Sequence, residues 1–172
     1  RPLFSKLYHI QVDTLYLPVG PGADWWDKIE SGHEISSVQW VGEDIQIECG
    51  GATIDRYVSP FAETTNESSL CVLFQAGNCD ILITGDMNEL GEKLLLNEKQ
   101  IPALDVLVAG HHGSKHSTGE RLLQQTMPEK VFISVGRDNS YGHPAQEVLD
   151  RLEKYGCEIH RTDLEGTIVF RR

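Results

Sequence analysis

The stretch Asp105-Val-Leu-Val-Ala-Gly-His-His-Gly-Ser114 decides how this 172-residue chain is interpreted. An apolar run of β type stops abruptly at a glycine, two adjacent histidines, a second glycine and a serine. Glycines let the backbone turn, and imidazoles at the end of a strand are well placed to bind a metal. The pattern therefore indicates a functional site where a strand ends.

A second apolar run, Ile81-Leu-Ile-Thr-Gly-Asp86, ends in a carboxylate. A Gly-Asp pair after a strand is most often a turn or a helix N-cap, so this motif alone has a structural explanation. Its combination with the histidine pair favours a single cleft. We expect Asp86 to share that cleft with His111 or His112.

A third motif, Gly136-Arg-Asp-Asn-Ser-Tyr-Gly-His-Pro144, follows another predicted strand. Its structural interpretation is a loop that leads into a helix, with Pro144 in the first turn. Its functional interpretation rests on the strand–helix alternation, because ligands bind beyond the carboxyl ends of the strands in such sheets. We therefore expect Asn139, Tyr141 and His143 to project toward the same edge as the other two motifs.

Composition limits the function classes. The chain has 40% apolar residues, a formal net charge of −11 and no apolar stretch long enough to span a bilayer. These values predict a single domain whose net electrostatic field does not attract a polyanion. A nucleic-acid substrate would need metal ions or local cations, such as Lys115, Arg121 and Arg137. The chain begins with Arg1 and has no signal pattern, which is consistent with a segment of a longer protein.

The four cysteines contain no CxxC pair, so neither a zinc knuckle nor a redox motif is indicated. Free, buried thiols are the default expectation. Cys71 and Cys79 flank a predicted hairpin and could face each other, and the redox compartment stays open.

Hydrophobic periodicity predicts a β-rich first half and an alternation of strands and helices in the second. The expected hairpin has Gly77-Asn78 at its turn. We further expect strands over 8–18, 70–74, 80–84, 104–109, 131–135, 158–161 and 167–170, and two or three β segments within 38–58. Helices are expected over 24–32, from Asp86 with Leu90, Leu94 and Leu95 on one face, over 119–127, and over 145–155. The predicted class is a mixed α/β (α+β) fold with parallel or mixed pairing.

Together these motifs resemble the later motifs of metallo-β-lactamase-fold hydrolases, most nearly the C-terminal domain of the DNA-uptake competence protein ComEC. The resemblance rests on Thr84-Gly-Asp86, Gly110-His-His-Gly-Ser114, Ser134-Val-Gly136 with Asn139-Ser-Tyr-Gly-His-Pro144, and Arg161-Thr-Asp-x-x-Gly166. Asn66-Glu-Ser-Ser69 falls where many members have a histidine and ComEC-like domains have Asn-x-x-Ser. The resemblance implies an αββα sandwich with a dinuclear metal site.

The resemblance also implies roles for individual residues. Asp86 corresponds to the aspartate that bridges two Zn²⁺ or Mn²⁺ ions. Either His111 or His112 corresponds to the later histidine ligand: alignment on the preceding glycine favours His111, whereas the turn could present His112. His143 corresponds to a position that meets the substrate phosphate as an acid or hydrogen-bond donor. Asn139 and Ser114 join it as catalytic candidates.

The main departure from the superfamily is the absence of its His-x-His-x-Asp-His motif. We therefore interpret residues 1–172 as a single partial domain, the carboxyl-terminal part of the sandwich. With two or three of the expected ligands, this chain should bind metal weakly and be inactive in isolation.

The function implied for the intact parent is a metal-dependent hydrolase, a phosphodiesterase or nuclease acting on incoming DNA. Its soluble domain would follow a membrane region and lie on the outer face of a bacterial plasma membrane, without inserting into the membrane itself. Two alternatives stay open. One is a free-standing, cytoplasmic hydrolase of a small phosphoester, and the other is a non-catalytic module that binds nucleic acid or a protein partner.

Overall fold

A computed structural model describes residues 12–18, 35–57 and 69–171, and these residues form two β-sheets. The smaller sheet pairs β1 (Val12–Pro18) with β2 (Ile35–Val41) in parallel. The larger sheet has seven strands in sequential order. They are β3 (Ile45–Cys49), β4 (Ala52–Tyr57), β5 (Cys71–Ala76), β6 (Cys79–Ile83), β7 (Val106–Val108), β8 (Lys130–Ile133) and β9 (Glu158–Arg161).

Helices separate the later strands of this sheet. They are α1 (Glu89–Glu98), α2 (Glu120–Thr126), α3 (Gln146–Lys154) and the short α4 (Thr162–Glu165). A short 3₁₀ segment, Gly110–Gly113, follows β7. Within the described part of the chain, no helix is both long enough and apolar enough to cross a membrane.

Pairing changes from antiparallel to parallel in the middle of the large sheet. Strands β3 to β6 are antiparallel neighbours, and β5 and β6 form the predicted hairpin. Strands β6 to β9 are parallel neighbours, because α1, α2 and α3 carry the chain back between them. The predicted mixed α/β class is confirmed. The carboxyl ends of four adjacent strands consequently lie along one edge.

One face of the large sheet carries the core. A cross-strand row of apolar side chains runs from β5 to β8. This row packs with the apolar sides of α1, α2 and α3 in one buried cluster. Its central members are Leu73, Leu82, Leu107, Val131, Leu95, Leu122, Leu123 and Leu152.

The opposite face of the same sheet is apolar but only partly covered by the described residues. Phe74, Val108 and Phe132 are half-buried there, and Ile83 is 41% exposed. Apolar sheet faces are normally covered by a further layer of structure. An αββα sandwich supplies such a layer in the form of a second sheet.

The predicted apolar face of α1 is wrong in one position. Leu90 is 52% exposed, whereas Glu92 is buried together with Leu95 and Leu96. A helical wheel places leucine inward by default, but here the inward position is taken by a carboxylate that accepts hydrogen bonds from Thr118 and Gly119, just before α2.

Three further predictions are corrected. Residues 167–170 are not a strand, since the chain after β9 turns into α4. Pro144 precedes α3, because Ala145 is its N-cap. Cys71 and Cys79 lie at opposite ends of the hairpin, where Cys79 pairs with Ala76. The predicted helix over 24–32 lies outside the described residues.

All four cysteines are free thiols, as expected. Cys71 is fully buried, whereas Cys79 and Cys157 are half-buried and Cys49 is exposed. Burial raises the pKa of Cys71 and of Cys157, so both sulfurs are held as neutral thiols. The expectation of burial is therefore met by one thiol in full.

Candidate functional site

The three sequence motifs follow three neighbouring parallel strands. Asp86 comes after β6, the histidine pair after β7 and the loop 136–143 after β8. The parallel register places these strand ends side by side. The structure thus brings the motifs to one edge of the sheet, as the sequence predicts.

The histidine pair has an unusual backbone. His111 has φ 47° and ψ 43°, and His112 has φ 55° and ψ 26°. Two successive non-glycine residues in the left-handed region cost of order 1–3 kcal/mol each, and such strain concentrates at functional sites. The conformation turns the chain sharply after β7.

Hydrogen bonds and close packing tie this turn to the loop that carries Asp86. The His111 backbone N–H donates to the Gly85 carbonyl at 2.9 Å. A Cβ atom at Gly110 would lie 2.9 Å from the Met87 carbonyl oxygen, so only glycine fits. The Asp86 backbone N–H donates to Ser69 Oγ at 3.1 Å. The two loops therefore hold each other in a fixed relation.

The His112 ring is oriented by a main-chain carbonyl just after β8. Its Nδ1 lies 2.6 Å from the Ser134 carbonyl oxygen. A carbonyl oxygen can only accept, so Nδ1 carries the proton and Nε2 of the neutral ring has a free lone pair. That Nε2 lies 3.7 Å from Asp86 Oδ1, and both side chains are more than half exposed. A carbonyl that fixes the tautomer of a histidine is the usual support for a metal ligand.

This pair fits part of a metal site. Ligand atoms about 2.0–2.2 Å from one Zn²⁺ lie at most about 4 Å apart, so the separation of Asp86 and His112 suits a shared ion. The described residues contain no group of three or more His, Cys, Asp and Glu side chains able to hold a metal. Asp86 and His112 would therefore supply two ligands, and a closed site requires donors outside the described ranges.

His111 and His143 form the second part of the site. Their rings meet edge to face, with centroids 5.8 Å apart. His143 lines a pocket of about 270 Å³ together with His112, Ser134, Val135, Gly136, Asn139 and Tyr141. Burial, and then the neighbouring His111 and His112, lower the pKa of His143. His143 is therefore favoured as a neutral imidazole at the edge of the pocket.

Asn139 is used by its own loop. Its Nδ2 donates to the His143 carbonyl at 2.6 Å and to the Gly136 carbonyl at 3.1 Å. Its Oδ1 accepts from the backbone N–H groups of His143 at 3.0 Å and Tyr141 at 3.2 Å. The carboxamide thus has all of its bonding directions committed to the loop that carries His143, and its catalytic role stays a prediction.

Ser114 lies below the turn. Its side chain is 5% exposed, and its backbone N–H donates to the His111 carbonyl at 3.0 Å. Ser117 Oγ lies within hydrogen-bond distance of the carbonyl oxygens of Gly110, at 2.6 Å, and Ser114, at 2.8 Å. These contacts give Ser114 a part in shaping the histidine turn, and its catalytic role stays a prediction.

The turn has a buried support that is not evident in the sequence. Glu92 accepts hydrogen bonds from the backbone N–H groups of Thr118 at 2.5 Å and Gly119 at 2.8 Å, at the N-terminus of α2. Arg151 Nη1 donates to the carbonyls of Ser117 and Thr118, each at 2.9 Å. A polar residue in an amphipathic helix is normally assigned to solvent, so Glu92 gave no sign of this role in the sequence.

Glu92 gives a testable pH dependence. Burial raises its pKa to about 7 from the ordinary 4.5. The unfolded chain then releases this proton at lower pH than the folded chain, so the Glu92 contribution favours folding below pH 4.5 and weakens as pH rises to 7. Relative to Glu92→Gln, the wild type is expected to lose about 3 kcal/mol of unfolding free energy across that interval. Urea unfolding of both proteins measures the difference, and parallel pH profiles would contradict it.

The motif Arg161–Gly166 stabilises the carboxyl end of β8. Thr162 Oγ1 accepts from the Val135 backbone N–H at 2.8 Å and lies 2.8 Å from the Val135 carbonyl. Arg161 forms a two-point contact with Asp163 through Nε at 3.1 Å and Nη2 at 2.7 Å. The motif thereby holds the strand end that supplies the Ser134 carbonyl to His112.

The three candidate cations occupy different places. Lys115 is exposed in the loop after the histidine turn. Arg137 Nε donates to the Asp163 carbonyl at 3.2 Å, next to the third motif. Arg121 instead donates to Asn97 and lines a separate pocket between α1 and α2.

Comparisons with known proteins connect this site to a family. The chain is 41% identical over 113 residues to ComE operon protein 3 of Bacillus subtilis, which covers 66% of the chain. It is 36% identical over 103 residues to Recombination protein 2 of Haemophilus influenzae, and 38% identical over 102 residues to Competence protein ComA of Neisseria gonorrhoeae. These two matches cover 60% and 58% of the chain.

The chain is homologous to part of the ComEC competence proteins. The resemblance inferred from the motifs is confirmed. The chain spans only 13 to 15% of the length of these ComEC relatives. No protein-family model matches it.

A solved structure supports the fold. The metallo-β-lactamase fold protein YhfI from Bacillus subtilis superimposes with a TM-score of 0.51 over 86% of this chain and 62% of that one. The sequence identity is 12%, so the likeness concerns the fold. The predicted metallo-β-lactamase-like architecture of this ComEC homologue is confirmed.

Proposed function

We propose that this chain contributes to the active site of a metal-dependent phosphodiesterase that cleaves DNA during uptake. The observation that carries the proposal is the pair formed by Asp86 and His112. A carboxylate and an imidazole with a free Nε2 lie 3.7 Å apart at the ends of adjacent parallel strands. The names of the relatives, which refer to competence and recombination, support DNA as the substrate.

In this proposal Asp86, His112 and His143 have different roles. Asp86 and His112 hold a divalent ion, with the Ser134 carbonyl fixing the His112 tautomer. A bound Zn²⁺ or Mn²⁺ would lower the pKa of a coordinated water and offset the phosphate charge. His143, held by Asn139, faces the pocket as a neutral hydrogen-bond donor to the phosphate or the leaving oxygen. This choice of His112 as the ligand leaves His111 to pack against His143.

Charge is consistent with a metal requirement. The net charge of −11 repels a phosphodiester backbone, so the described site needs added positive charge at the point of cleavage. Lys115 and Arg137 border the motifs and reduce the local repulsion. The location that follows from this proposal is the outer face of the plasma membrane, where incoming DNA arrives.

A non-catalytic DNA- or protein-binding module is the second candidate. It is favoured by one observation, namely that no group of three or more metal-binding side chains occurs within 12–18, 35–57 and 69–171. A degenerate domain of this fold would retain the pocket and the loops without forming a complete metal site.

Hydrolysis with defined metals separates the two candidates. The full-length gene product is stripped with chelator, and cleavage of a fluorescently labelled DNA is followed as Zn²⁺ or Mn²⁺ is added back. We expect cleavage that depends on the metal and is abolished by chelator. Binding of DNA without cleavage under any metal would reject the phosphodiesterase and support the binding module.

A further inference from the structure

Tyr141 lies at the rim of the site pocket and is 81% exposed. Its ring is nearly parallel to that of His143, with an interplanar angle of 22° and centroids 6.0 Å apart. A single exposed aromatic residue is ordinary on a protein surface. This one, however, borders the pocket that holds His112 and His143, and most of its ring is open to solvent.

Hydrogen bonds within the loop fix the backbone of Tyr141. Its backbone N–H donates to Asn139 Oδ1 at 3.2 Å, and the same oxygen accepts from the His143 backbone N–H at 3.0 Å. Asn139 Nδ2 closes the loop through the His143 carbonyl at 2.6 Å. Because this network orders the loop backbone in advance, a ligand that stacks on the tyrosine would have to order only the Tyr141 side chain and not the loop.

We infer that Tyr141 is a stacking platform for an unpaired nucleobase of the substrate, placed next to the phosphate that enters the pocket. The inference rests on the proposed function and names its substrate class as single-stranded DNA or frayed ends. Aromatic side chains bind single strands by stacking on base faces without sequence preference. In a duplex those faces are already covered by neighbouring base pairs.

The negative net charge of the chain increases the share of the binding free energy that stacking must supply. With a net charge of −11, the protein gains little from long-range attraction to the DNA backbone. Stacking is independent of the phosphate charge. A short single strand should therefore depend on Tyr141 for a large share of its affinity.

The test measures binding separately from cleavage. Fluorescence anisotropy follows a labelled single-stranded octanucleotide on the full-length gene product in chelator, so that no hydrolysis occurs. Tyr141→Ala is expected to weaken binding roughly 5- to 150-fold, and Tyr141→Phe to retain it. Leu164→Ala is the matched control, since Leu164 is also a large exposed apolar residue, at 69%, and is not among the residues that line this pocket.

Two further probes identify the contact as stacking. An oligonucleotide with 2-aminopurine should be quenched by the wild type and by Tyr141→Phe, but not by Tyr141→Ala. An oligonucleotide with abasic sites should bind the wild type and Tyr141→Ala equally. Equal binding of intact DNA by wild type and Tyr141→Ala, or no binding by the wild type, would overturn the inference.

Binding and cleavage measurements together distinguish failure of the stacking platform from failure of the phosphodiesterase. Base-dependent binding through Tyr141 without any metal-dependent cleavage would support the stacking platform and reject the phosphodiesterase. Cleavage that is unchanged in rate and KM by Tyr141→Ala would leave the phosphodiesterase and reject the platform.

Discussion

Replacing Asp86 with alanine should lower DNA hydrolysis by the full-length gene product on the order of 10³-fold or more. Its carboxylate faces His112 Nε2 at 3.7 Å, and the two side chains are the proposed ligands within the described residues. Without the carboxylate the proposed site loses one of its ligands, and each lost ligand weakens the retention of the ion. Metal content measured by mass spectrometry should fall in parallel with the hydrolytic rate.

The variant should remain folded. The Asp86 side chain is 53% exposed, and the backbone N–H that binds Ser69 Oγ is unaffected by the substitution. Exposed positions of this kind usually change stability by less than about 0.5 kcal/mol. Thermal unfolding of Asp86→Ala should therefore match that of the wild type, which excludes misfolding as the cause of lost activity.

Asp80→Ala is the matched control. Asp80 lies near the opposite end of β6, where it accepts a hydrogen bond from Gln75 at 2.8 Å. Its removal should leave both metal content and hydrolysis near wild-type values. Equal loss in both variants, or full activity in Asp86→Ala, would show that Asp86 is not a ligand.

The mixed sheet could be predicted because its strands obey simple rules. The run that ends at Asp86 and the run that ends at the histidine pair are nearly continuous apolar stretches, as expected for parallel strands covered on both faces. Helical segments between them require parallel pairing. Each of the two apolar runs ends in glycine and polar residues, so the sequence also predicts that the site lies at the carboxyl edge of the sheet.

The error on α1 has a physical cause. Periodicity favoured Leu90 as a core residue, whereas Glu92 is buried. Glu92 is inside because it accepts two N–H groups at the start of α2, whose N-cap Gly119 has no side chain to do so. That partnership joins residues far apart in sequence, which local periodicity does not register.

The proposed choice between the two histidines rests on tertiary geometry. His111 and His112 are adjacent, and both have positive φ, a conformation that sequence alone does not predict for histidine. What separates them is the Ser134 carbonyl, contributed by the next strand, which binds His112 Nδ1. A main-chain partner leaves no mark in side-chain identity, so the sequence leaves both histidines open, and His112 as the ligand is our proposal.

His143→Ala is expected to slow hydrolysis about 10²- to 10⁴-fold while leaving metal content intact. His143 lines the pocket beside His112, and its ring contacts are with His111 and Tyr141. Its Nδ1 is buried without a hydrogen-bond partner among the described residues, and its pKa is lowered. These features suit a neutral donor to substrate, for which kcat should fall more than KM rises.

His116→Ala provides the control for His143, because His116 is an exposed histidine in the loop after the histidine turn and is not among the residues that line the pocket. It should hydrolyse DNA at the wild-type rate. Comparing His143→Ala with Asp86→Ala then separates the two roles. If His143→Ala loses metal as completely as Asp86→Ala, His143 is a ligand and not a donor. If it retains both metal and full rate, the pocket of about 270 Å³ is not where the phosphate reacts.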